Sequence, residues 1–186
     1  MCRWHAEAGM ETITPIDSRD EQDETHMTPV SATALRDAMG HFLTGVTIVT
    51  TRGVGEPYGL TVNSFNSVSL DPPLILWSLD LGHDRGDLFR QAGGFTVNVM
   101  GSNSDCEELI GIFARTDTER FSGADWHWGP SGQPVLACAI ASLECRLWAE
   151  YPGGDHVIFV GEVVNISTRD GQPSAYFKGQ LSAFPS

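Results

Sequence analysis

Lysine is almost absent from this chain: Lys178 is the only one among 186 residues. Lysine and arginine together number 11 against 24 aspartates and glutamates, which gives a formal net charge of −13 at pH 7. Phosphate backbones and anionic lipid surfaces repel a chain of this charge, so we expect a protein that binds neither nucleic acid nor membranes. An anionic small ligand remains compatible, since a few arginines and backbone N–H groups are sufficient locally.

Long apolar runs are also missing. No uninterrupted run reaches the ~18 residues that a membrane-spanning helix requires. The N-terminal residues M-C-R-W-H-A-E-A lack the basic start and apolar centre of a secretory signal. We therefore expect a cytoplasmic protein.

Cysteines are few, and none of the four forms a Cys-x-x-Cys pair. This pattern predicts reduced cysteines that pack in the fold, in place of a disulfide framework or a zinc site. The six histidines show no spacing typical of metal ligands either, so we expect no metal site.

The chain is long enough for one domain with a sizeable core. Residues 1–28 contain seven acidic residues and little apolar periodicity, which predicts a disordered acidic tail. The folded domain is then expected to span residues 29–186.

Strand patterns dominate that domain. Strands are predicted over residues 46–51, 58–70, 74–79, 95–100, 134–151 and 156–164. The last two runs are joined by Gly153-Gly154-Asp155, which indicates a hairpin. Helices are predicted from Ser31 or Thr33, over residues 84–91, and from a capping box that starts at Ser104, while residues 122–132 are typical of a loop.

About seven strands with few helices, and no alternation of strand and helix, predict a mostly β protein. The expected architecture is a closed or partly closed, Greek-key-like antiparallel barrel with short peripheral helices. The glycines of residues 52–57 superficially suggest a dinucleotide fingerprint, but a strand begins where that motif needs a helix.

One stretch, Pro57 to Leu81, concentrates short polar side chains. Its Gly59 allows another group to approach the backbone closely. Five hydroxyl or amide residues follow: Thr61, Asn63, Ser64, Asn66 and Ser67. Two interpretations stay open on composition alone: an edge strand whose polar loop bonds to its own backbone, or a ligand-binding loop.

Several separated motifs occur together in this chain. They are G-H-F-L-T-G-V-T-I-V-T-T (40–51), G-L-T-V-N-S-F-N-S-V-S-L-D-P-P-L (59–74), F-T-V-N-V-M (95–100), R-F-S-G (120–123), G-D-H-V-I-F-V-G-E-V (154–163) and A-Y-F-K-G (175–179). In this order and spacing the chain resembles the short flavin reductases that serve two-component flavin-dependent monooxygenases. That family has the FMN-binding split β-barrel fold.

The resemblance implies a homodimer that transfers hydride from NADH or NADPH to FMN or FAD and supplies reduced flavin to a monooxygenase. The motif at 59–74 is then expected to hold the flavin. By position the resemblance implies flavin contacts at Thr61, Asn63, Ser64 and Ser67. Val62 belongs to the same strand, but alternation directs its side chain, like that of Phe65, towards the core.

Further contacts are implied outside that motif. Ser78 to Asp80 and Asn98 are expected to approach the flavin from neighbouring strands. Phe113 and Arg120 resemble family positions at the ribityl and phosphate end, although an exposed helix-end arginine is an equally good explanation of Arg120. Many relatives carry a serine or threonine near the start of the next helix. Here Arg85 is the candidate phosphate ligand, and the neighbouring Asp84 and Asp87 would repel a phosphate.

His156 is the catalytic candidate. In the family this histidine lies over the flavin, where an imidazole can hold the nicotinamide within ~3.5 Å of the acceptor atom. Asp155 either orients His156 or is a turn residue.

Two other functions remain open. The chain can be a split-barrel flavoenzyme that uses its bound flavin directly on an organic substrate, or a non-enzymatic flavin- or haem-binding protein. The acidic composition leans towards NADH over NADPH, because few cations are available for a 2′-phosphate.

Overall fold

The computed structural model describes residues 28–82, 85–116 and 119–183. The predicted tail lies outside these residues except for Thr28, as does Asp84 at the start of the second predicted helix. Most of the described chain is strand. The helices are α1 (Ala32–Met39), α2 (Gly86–Ala92) and α3 (Ser104–Phe113), and the strands are β1 (Thr44–Gly45), β2 (Thr47–Arg52), β3 (Pro57–Val62), β4 (Asn66–Leu70), β5 (Pro73–Asp80), β6 (Gly94–Val99), β7 (Trp126–Trp128), β8 (Pro134–Leu136), β9 (Ala141–Gly153), β10 (His156–Thr168), β11 (Ser174–Phe177) and β12 (Gln180–Ala183).

The main sheet has seven strands in the order β3-β2-β6-β9-β10-β5-β4, and every neighbouring pair is antiparallel. Its two edge strands, β3 and β4, follow each other in the chain and are joined only by residues 63–65. Val62 and Asn66 are four residues apart in the chain, so their Cα atoms can be separated by at most about 14 Å. The sheet must therefore curl until its edges nearly meet, which gives the predicted barrel with one split.

The hairpin predicted at the glycine turn is confirmed. β9 and β10 pair along 13 residues each, with two register shifts. Gly154 occupies the turn with a φ of +75°, a left-handed conformation that glycine adopts at little cost. The turn carries His156 at the first position of β10.

Aromatic side chains fill the barrel. Trp77 is fully buried and stacks on Phe159, with ring centroids 5.1 Å apart, while Phe89 and Phe95 pack edge-on against it. A second apolar cluster lies under α3 and includes Phe113. Each buried aromatic removes roughly 150–250 Å² from water, so these rings account for much of the stability of the barrel.

Three details of the predicted elements are wrong. Asn103, not Ser104, caps α3, because its extended backbone lets Oδ1 accept from the N–H of Cys106 at 3.0 Å. The predicted loop at 122–132 contains β7, which pairs with β8. The strands predicted over 58–70 and 134–151 are each broken, the first between β3 and β4 and the second between β8 and β9.

Helix α1 begins after Ser31, as one of the two predicted caps requires, since the hydroxyl of Ser31 accepts from the N–H of Ala34. The helix buries none of its residues. Leu35 and Met39 expose 56% and 57% of their surfaces, and the neighbouring Phe42 exposes 66%. None of the three helices in the described part of the chain is long and apolar enough to cross a membrane.

Candidate functional site

The polar segment of residues 63–65 bridges the split of the barrel. The Ser64 hydroxyl donates to the carbonyl oxygen of Ser78 and accepts from the backbone N–H of the same residue, both at 3.0 Å. These two bonds fix the segment onto β5. Asn63 is exposed, and its side chain makes no hydrogen bond to a described residue. An amide free to bind therefore stands next to a hydroxyl that is already held in place.

A cavity of about 870 Å³ opens beside this segment, and we call it the large cavity. It lies between Asn63 and Ser64 on one side and helix α1 with the turn between β11 and β12 on the other. Phe42, Phe65 and Tyr176 supply apolar and aromatic surface. The volume lies in the range typical of small-molecule sites, and the walls combine aromatic surface with many polar and charged groups.

The large cavity gathers positive charge in a chain that has little. Arg36 of α1 and Lys178 of the β11–β12 turn both line it, together with His41. Neither Arg36 nor Lys178 forms an ion pair with a described residue, although Asp37 lies in the same wall. The Nζ of Lys178 lies 5.6 Å from the ring centroid of Phe177, a cation–π contact that leaves its N–H donors without an anionic partner among the described residues. Two cations without an ion pair, beside neutral hydrogen-bonding groups, favour an anionic ligand.

The sequence interpretation missed these cations. Lys178 has a left-handed backbone with a φ of +48°, and its N–H donates to the carbonyl of Gly40 at 3.0 Å, which docks the turn against the end of α1. The available signal was the A-Y-F-K-G motif together with the presence of a single lysine in the chain. Neither signal indicates which residues the motif meets in space.

A second cavity of about 590 Å³, the arginine cavity, contains the predicted phosphate ligands Arg85 and Arg120. Their guanidinium carbons lie 5.7 and 5.1 Å from the ring centroid of Tyr58, which indicates a cation–π contact for each arginine. Glu56 and Glu119 also line this cavity. The two carboxylates offset the positive charge of the arginines.

Arg120 acts mainly as a structural clamp. It is 8% exposed, and three of its N–H groups donate to the carbonyls of Arg115 and Gly59. A guanidinium has five N–H donors, so two remain. The expected bidentate grip on a phosphate would have to use these two, since the others stabilise the junction of β3 with the segment after α3.

His156 lies at the tip of the long hairpin and pairs in register with Asp80 of β5. Its Nδ1 lies 2.7 Å from Oδ1 of Asp155. The hydrogen bond from His156 holds the pKa of Asp155 below its usual range. Asp80 accepts from the N–H of Gly82 at 2.7 Å. The other nitrogen of His156 makes no hydrogen bond to a described residue and is therefore available to a ligand.

The predicted flavin segment and the predicted nicotinamide histidine both lie beside β5. Ser64 is bonded to Ser78, and Ser78 lies two residues before Asp80 on β5, about 7 Å along the strand. Asp80 is opposite His156. His156 lines neither the large cavity nor the arginine cavity. The two motifs are thus neighbours along β5 without forming the walls of one of these cavities.

Asn98 is a core residue, which corrects its expected role. It is fully buried; its Nδ2 donates to the carbonyl of Ile48 and to Thr50, and its Oδ1 accepts from Leu136 and Ser142, all at 3.0–3.1 Å. The protein itself satisfies both ends of the amide. No hydrogen-bonding capacity is left for a flavin.

Other predicted contacts also support the fold. The Thr61 hydroxyl donates to the carbonyl of Ile110 at 2.8 Å, and Phe113 is fully buried. A Cβ at Gly59 would lie 2.9 Å from the ring of Phe113. The glycine therefore admits the ring of Phe113, which confirms the expectation that another group approaches the backbone closely at Gly59. Val62 packs on the core, as alternation predicted.

Ser67 lies on the edge strand β4 and is exposed, with its N–H bonded to Oδ1 of Asn66. This is the local backbone bonding that the alternative interpretation of the polar stretch predicted. Asn66 also lines the large cavity. Both interpretations therefore describe part of the stretch: Asn63 and Ser64 face the large cavity, whereas Ser67 is held by its own neighbour.

Comparison with known proteins adds independent information. Residues 39–185 match the model of the flavin reductase like domain. The chain is 41% identical over 151 residues to the FMN reductase (NADH) SmoA of Agrobacterium fabrum, covering 81% of this chain and 85% of that protein. It is 34% identical over 165 residues to the reductase component of a 4-nitrophenol 4-monooxygenase/4-nitrocatechol 2-monooxygenase of Rhodococcus opacus, with 89% and 88% covered.

Among solved structures, the chain is similar to the Streptomyces globisporus NADH:FAD oxidoreductase SgcE6 in complex with NAD and FAD fragments. The TM-score is 0.78 at 35% identity, and the match covers 86% of this chain and 98% of that chain.

Proposed function

The chain belongs to the flavin reductase family with the split-barrel fold, and on that premise we propose how its residues carry out the reaction. It is an oxidoreductase that uses a reduced nicotinamide nucleotide to reduce flavin. When both are bound, the nicotinamide gives a hydride to the flavin ring, and this chemistry belongs to the two nucleotides. The protein has to bind them, align them and keep water away.

The two hydrogen bonds between Ser64 and Ser78 are the main observation that supports our assignment of the flavin site. The segment that crosses the split is rigid at Ser64, and the amide of Asn63 is free beside it. A flavin presents a row of carbonyl oxygens and ring nitrogens that an amide and backbone groups can pair, while Phe65 and Tyr176 offer apolar contact. We assign the flavin to the large cavity, along Asn63 and Ser64.

The cations of the large cavity suit nucleotide phosphates. Arg36 and Lys178 face the same space as Asn63 and have no ion-pair partner among the described residues. Arg85 stays a candidate for a phosphate at the arginine cavity, where Glu56 and Glu119 weaken its attraction for anions. We therefore rank Lys178 and Arg36 above Arg85 and Arg120 as phosphate ligands.

His156 is proposed to hold the nicotinamide. Its Nδ1 is committed to Asp155, so the opposite ring nitrogen and the ring face are available for a carboxamide or a nicotinamide ring. Asp155 is 92% exposed, so its hydrogen bond to His156 adds little to the stability of the fold. Its role is to orient the imidazole ring. No proton transfer by His156 is required, because the hydride moves directly between the nucleotides.

A homodimer is proposed because of α1. The helix exposes Leu35 and Met39, and the adjacent Phe42 and Phe177 are 66% and 41% exposed at the same end of the molecule. A helix whose apolar residues are all uncovered gains stability from a second surface. We propose that a second copy of this chain covers α1 next to the large cavity, and size-exclusion chromatography with light scattering tests it. Phe42→Asp should shift the protein towards monomer, whereas the exposed Val54→Asp should not.

The further partner is proposed to be a flavin-dependent monooxygenase that takes up the reduced flavin. Two relatives are named as the reductase component or the reductase subunit of a monooxygenase, which supports this proposal. A cytoplasmic location is supported by the free thiols of Cys106, Cys138 and Cys145, which are typical of a reducing compartment. NADH is the proposed donor, since the cations near the candidate site are few.

Steady-state assays that cross NADH and NADPH with FMN, FAD and riboflavin test the function. We expect rapid NADH oxidation with added flavin and weaker turnover with NADPH or with riboflavin, which lacks phosphate. A yellow cofactor that stays bound through gel filtration, with slow NADH oxidation on free flavin, would instead favour an enzyme that uses its bound flavin on an organic substrate. A spectrum that NADH does not bleach would contradict both and favour a binding protein.

A further inference from the structure

Two cysteines that are distant in the chain lie together beneath the first turn of α3. Cys106 belongs to that turn, and Cys138 lies in the segment between β8 and β9, 32 positions later. The Sγ of Cys106 lies 2.9 Å from the carbonyl oxygen of Cys138, so the two cysteines are in direct contact. Thiols placed this close are positioned to react with one another.

The surroundings of Cys106 stabilise its thiolate. Its backbone N–H is capped by Asn103 at the helix N-terminus, where the helix dipole favours negative charge. The guanidinium of Arg169 donates to the carbonyl of Cys138 and adds positive charge. The hydrogen bond from Cys138, followed by those from Gly101 and Asn103, lowers the pKa of Cys106 to about 7 despite its burial.

The partner thiol differs in protonation and access. The hydrogen bond to Cys106 and burial raise the pKa of Cys138, so it stays protonated while Cys106 ionises. Cys138 is partly exposed and lines a cavity of about 520 Å³, together with Arg169. A small oxidant can therefore reach the pair from the side of Cys138. Cys145 offers a contrast, since burial raises its pKa to about 12.

The reaction of this enzyme supplies a suitable oxidant. Reduced flavin that meets dioxygen before reaching an acceptor gives its two electrons and two protons to the oxygen, which yields oxidised flavin and hydrogen peroxide. A thiol pair on the protein that releases reduced flavin is therefore exposed to peroxide at its source.

We propose that Cys106 and Cys138 form a reversible disulfide when the protein meets hydrogen peroxide. The Cys106 thiolate attacks one peroxide oxygen; the O–O bond breaks, and hydroxide leaves and takes a proton to become water. The Cys138 sulfur then attacks the resulting sulfenic acid; the S–O bond breaks, and the second oxygen leaves as water with the proton of the Cys138 thiol. Two thiols are oxidised to one disulfide as one peroxide is reduced to two waters.

The test uses the full chain with Cys2→Ser, which removes the thiol outside the described residues. Protein treated with added hydrogen peroxide is expected to lose two hydrogens in intact mass, to yield one peptide that joins Cys106 to Cys138, and to revert with dithiothreitol. Cys145 should remain available to a thiol reagent after denaturation, which makes it the internal control. A second sample generates peroxide by turnover with NADH and flavin in air, and catalase should suppress its oxidation.

The single variants resolve the order of the steps. Cys138→Ser should accumulate a sulfenic acid on Cys106 that dimedone captures, whereas Cys106→Ser should leave Cys138 at least tenfold less reactive to peroxide. Oxidation of Cys138 to sulfinic acid without a cross-link, or a cross-link between two chains, would overturn the proposal. So would thiols in the parent protein that stay reduced at a peroxide dose that oxidises free cysteine. The arm with added peroxide does not depend on flavin reduction, so its failure is distinguishable from failure of the proposed function.

Discussion

The carboxylate of Glu144 accepts hydrogen bonds from both the backbone N–H, at 2.8 Å, and the hydroxyl of Ser131. Asn165 of β10 donates to its other oxygen at 2.7 Å. Glu144 is 2% exposed, so this carboxylate anchors the turn between β7 and β8 to the first part of β9. Removing this carboxylate should lower the stability of the fold without changing the binding of either nucleotide.

Glu144 gives the folded protein a defined acid sensitivity. Burial alone would raise the pKa of Glu144, but the hydrogen bonds from Ser131 and Asn165 outweigh it and hold the pKa below the ordinary 4.5. A depressed folded pKa contributes stability above pH 4.5, and the contribution disappears as pH falls from 4.5 through the folded value.

Urea denaturation of the parent and Glu144→Gln between pH 7 and pH 3 checks this expectation. The variant should be less stable at pH 7, and the difference should shrink below pH 4.5. Asp170→Asn, at an exposed position, serves as control and should leave the pH profile unchanged. A difference between parent and Glu144→Gln that is constant with pH would contradict the assignment.

Asn98→Ala should destabilise the fold. The change leaves the N–H of Leu136 and the hydroxyl of Ser142 without a partner in the core, and we expect a loss of roughly 2–4 kcal/mol in the free energy of unfolding. Chemical denaturation measures this loss. Asn63→Ala, at an exposed amide, should lose less than about 0.5 kcal/mol.

The same pair of variants separates a core role from a ligand role. If Asn98 only supports the fold, folded Asn98→Ala should keep the KM for flavin, whereas Asn63→Ala should raise it. A stable Asn98→Ala protein with a raised KM for flavin would instead support the flavin contact that the resemblance implied for Asn98.

Lys178→Asn should weaken binding of the phosphate-bearing nucleotide. Asparagine tolerates the left-handed backbone at this position, so the change removes charge without strain. A lost charge-assisted contact is worth roughly 1.5–3 kcal/mol, so we expect KM for one nucleotide to rise at least tenfold. Arg36→Gln should act in the same direction.

Salt gives an independent readout for these two variants. The KM of the parent should rise with ionic strength, and that dependence should be reduced in Lys178→Asn. Arg146→Gln is the matched control, because Arg146 pairs with Glu162 at the surface and faces neither cavity. If the control and the two variants change KM equally, the effect comes from net charge alone, and the proposed phosphate contacts are wrong.

His156→Ala should raise KM for the nicotinamide nucleotide roughly tenfold and leave KM for flavin within a factor of two, since one aromatic or hydrogen-bonding contact is worth about 1–1.5 kcal/mol. Steady-state kinetics with each substrate varied in turn provide the measurement. Asp155→Ala should produce a smaller change, because the aspartate is exposed and acts through His156. Unchanged NADH kinetics in His156→Ala would remove the role proposed for this histidine.

Ser64→Ala tests the segment across the split. The N–H of Ser78 loses its bond to the hydroxyl, and the segment loses its attachment to β5. We expect a loss of about 1–2 kcal/mol in stability together with a raised KM for flavin. Ser67→Ala, on the exposed edge strand, should change neither quantity, and an equal effect of the two variants would contradict the distinction.

The sequence by itself determined where the strands of the main sheet lie, the long hairpin and the polar segment. β-branched runs and alternation are local properties, and a turn such as Gly153-Gly154 requires few contacts beyond itself. The separated motifs likewise identified the family, because a short sequence motif can be recognised without knowing which residues surround it in the fold. Asn63 and Ser64 were found in this way.

Only the tertiary structure decided what each polar residue binds. Asn98 and Asn63 are the same amide after the same two residues, T-V, yet β2 and β9 surround Asn98 with partners while Asn63 faces a cavity. Lys178 meets Asn63 across more than a hundred positions because the β11–β12 turn docks on the end of α1. A side chain's type fixes how many hydrogen bonds it can form, but the packing of distant strands decides whether protein or ligand supplies them.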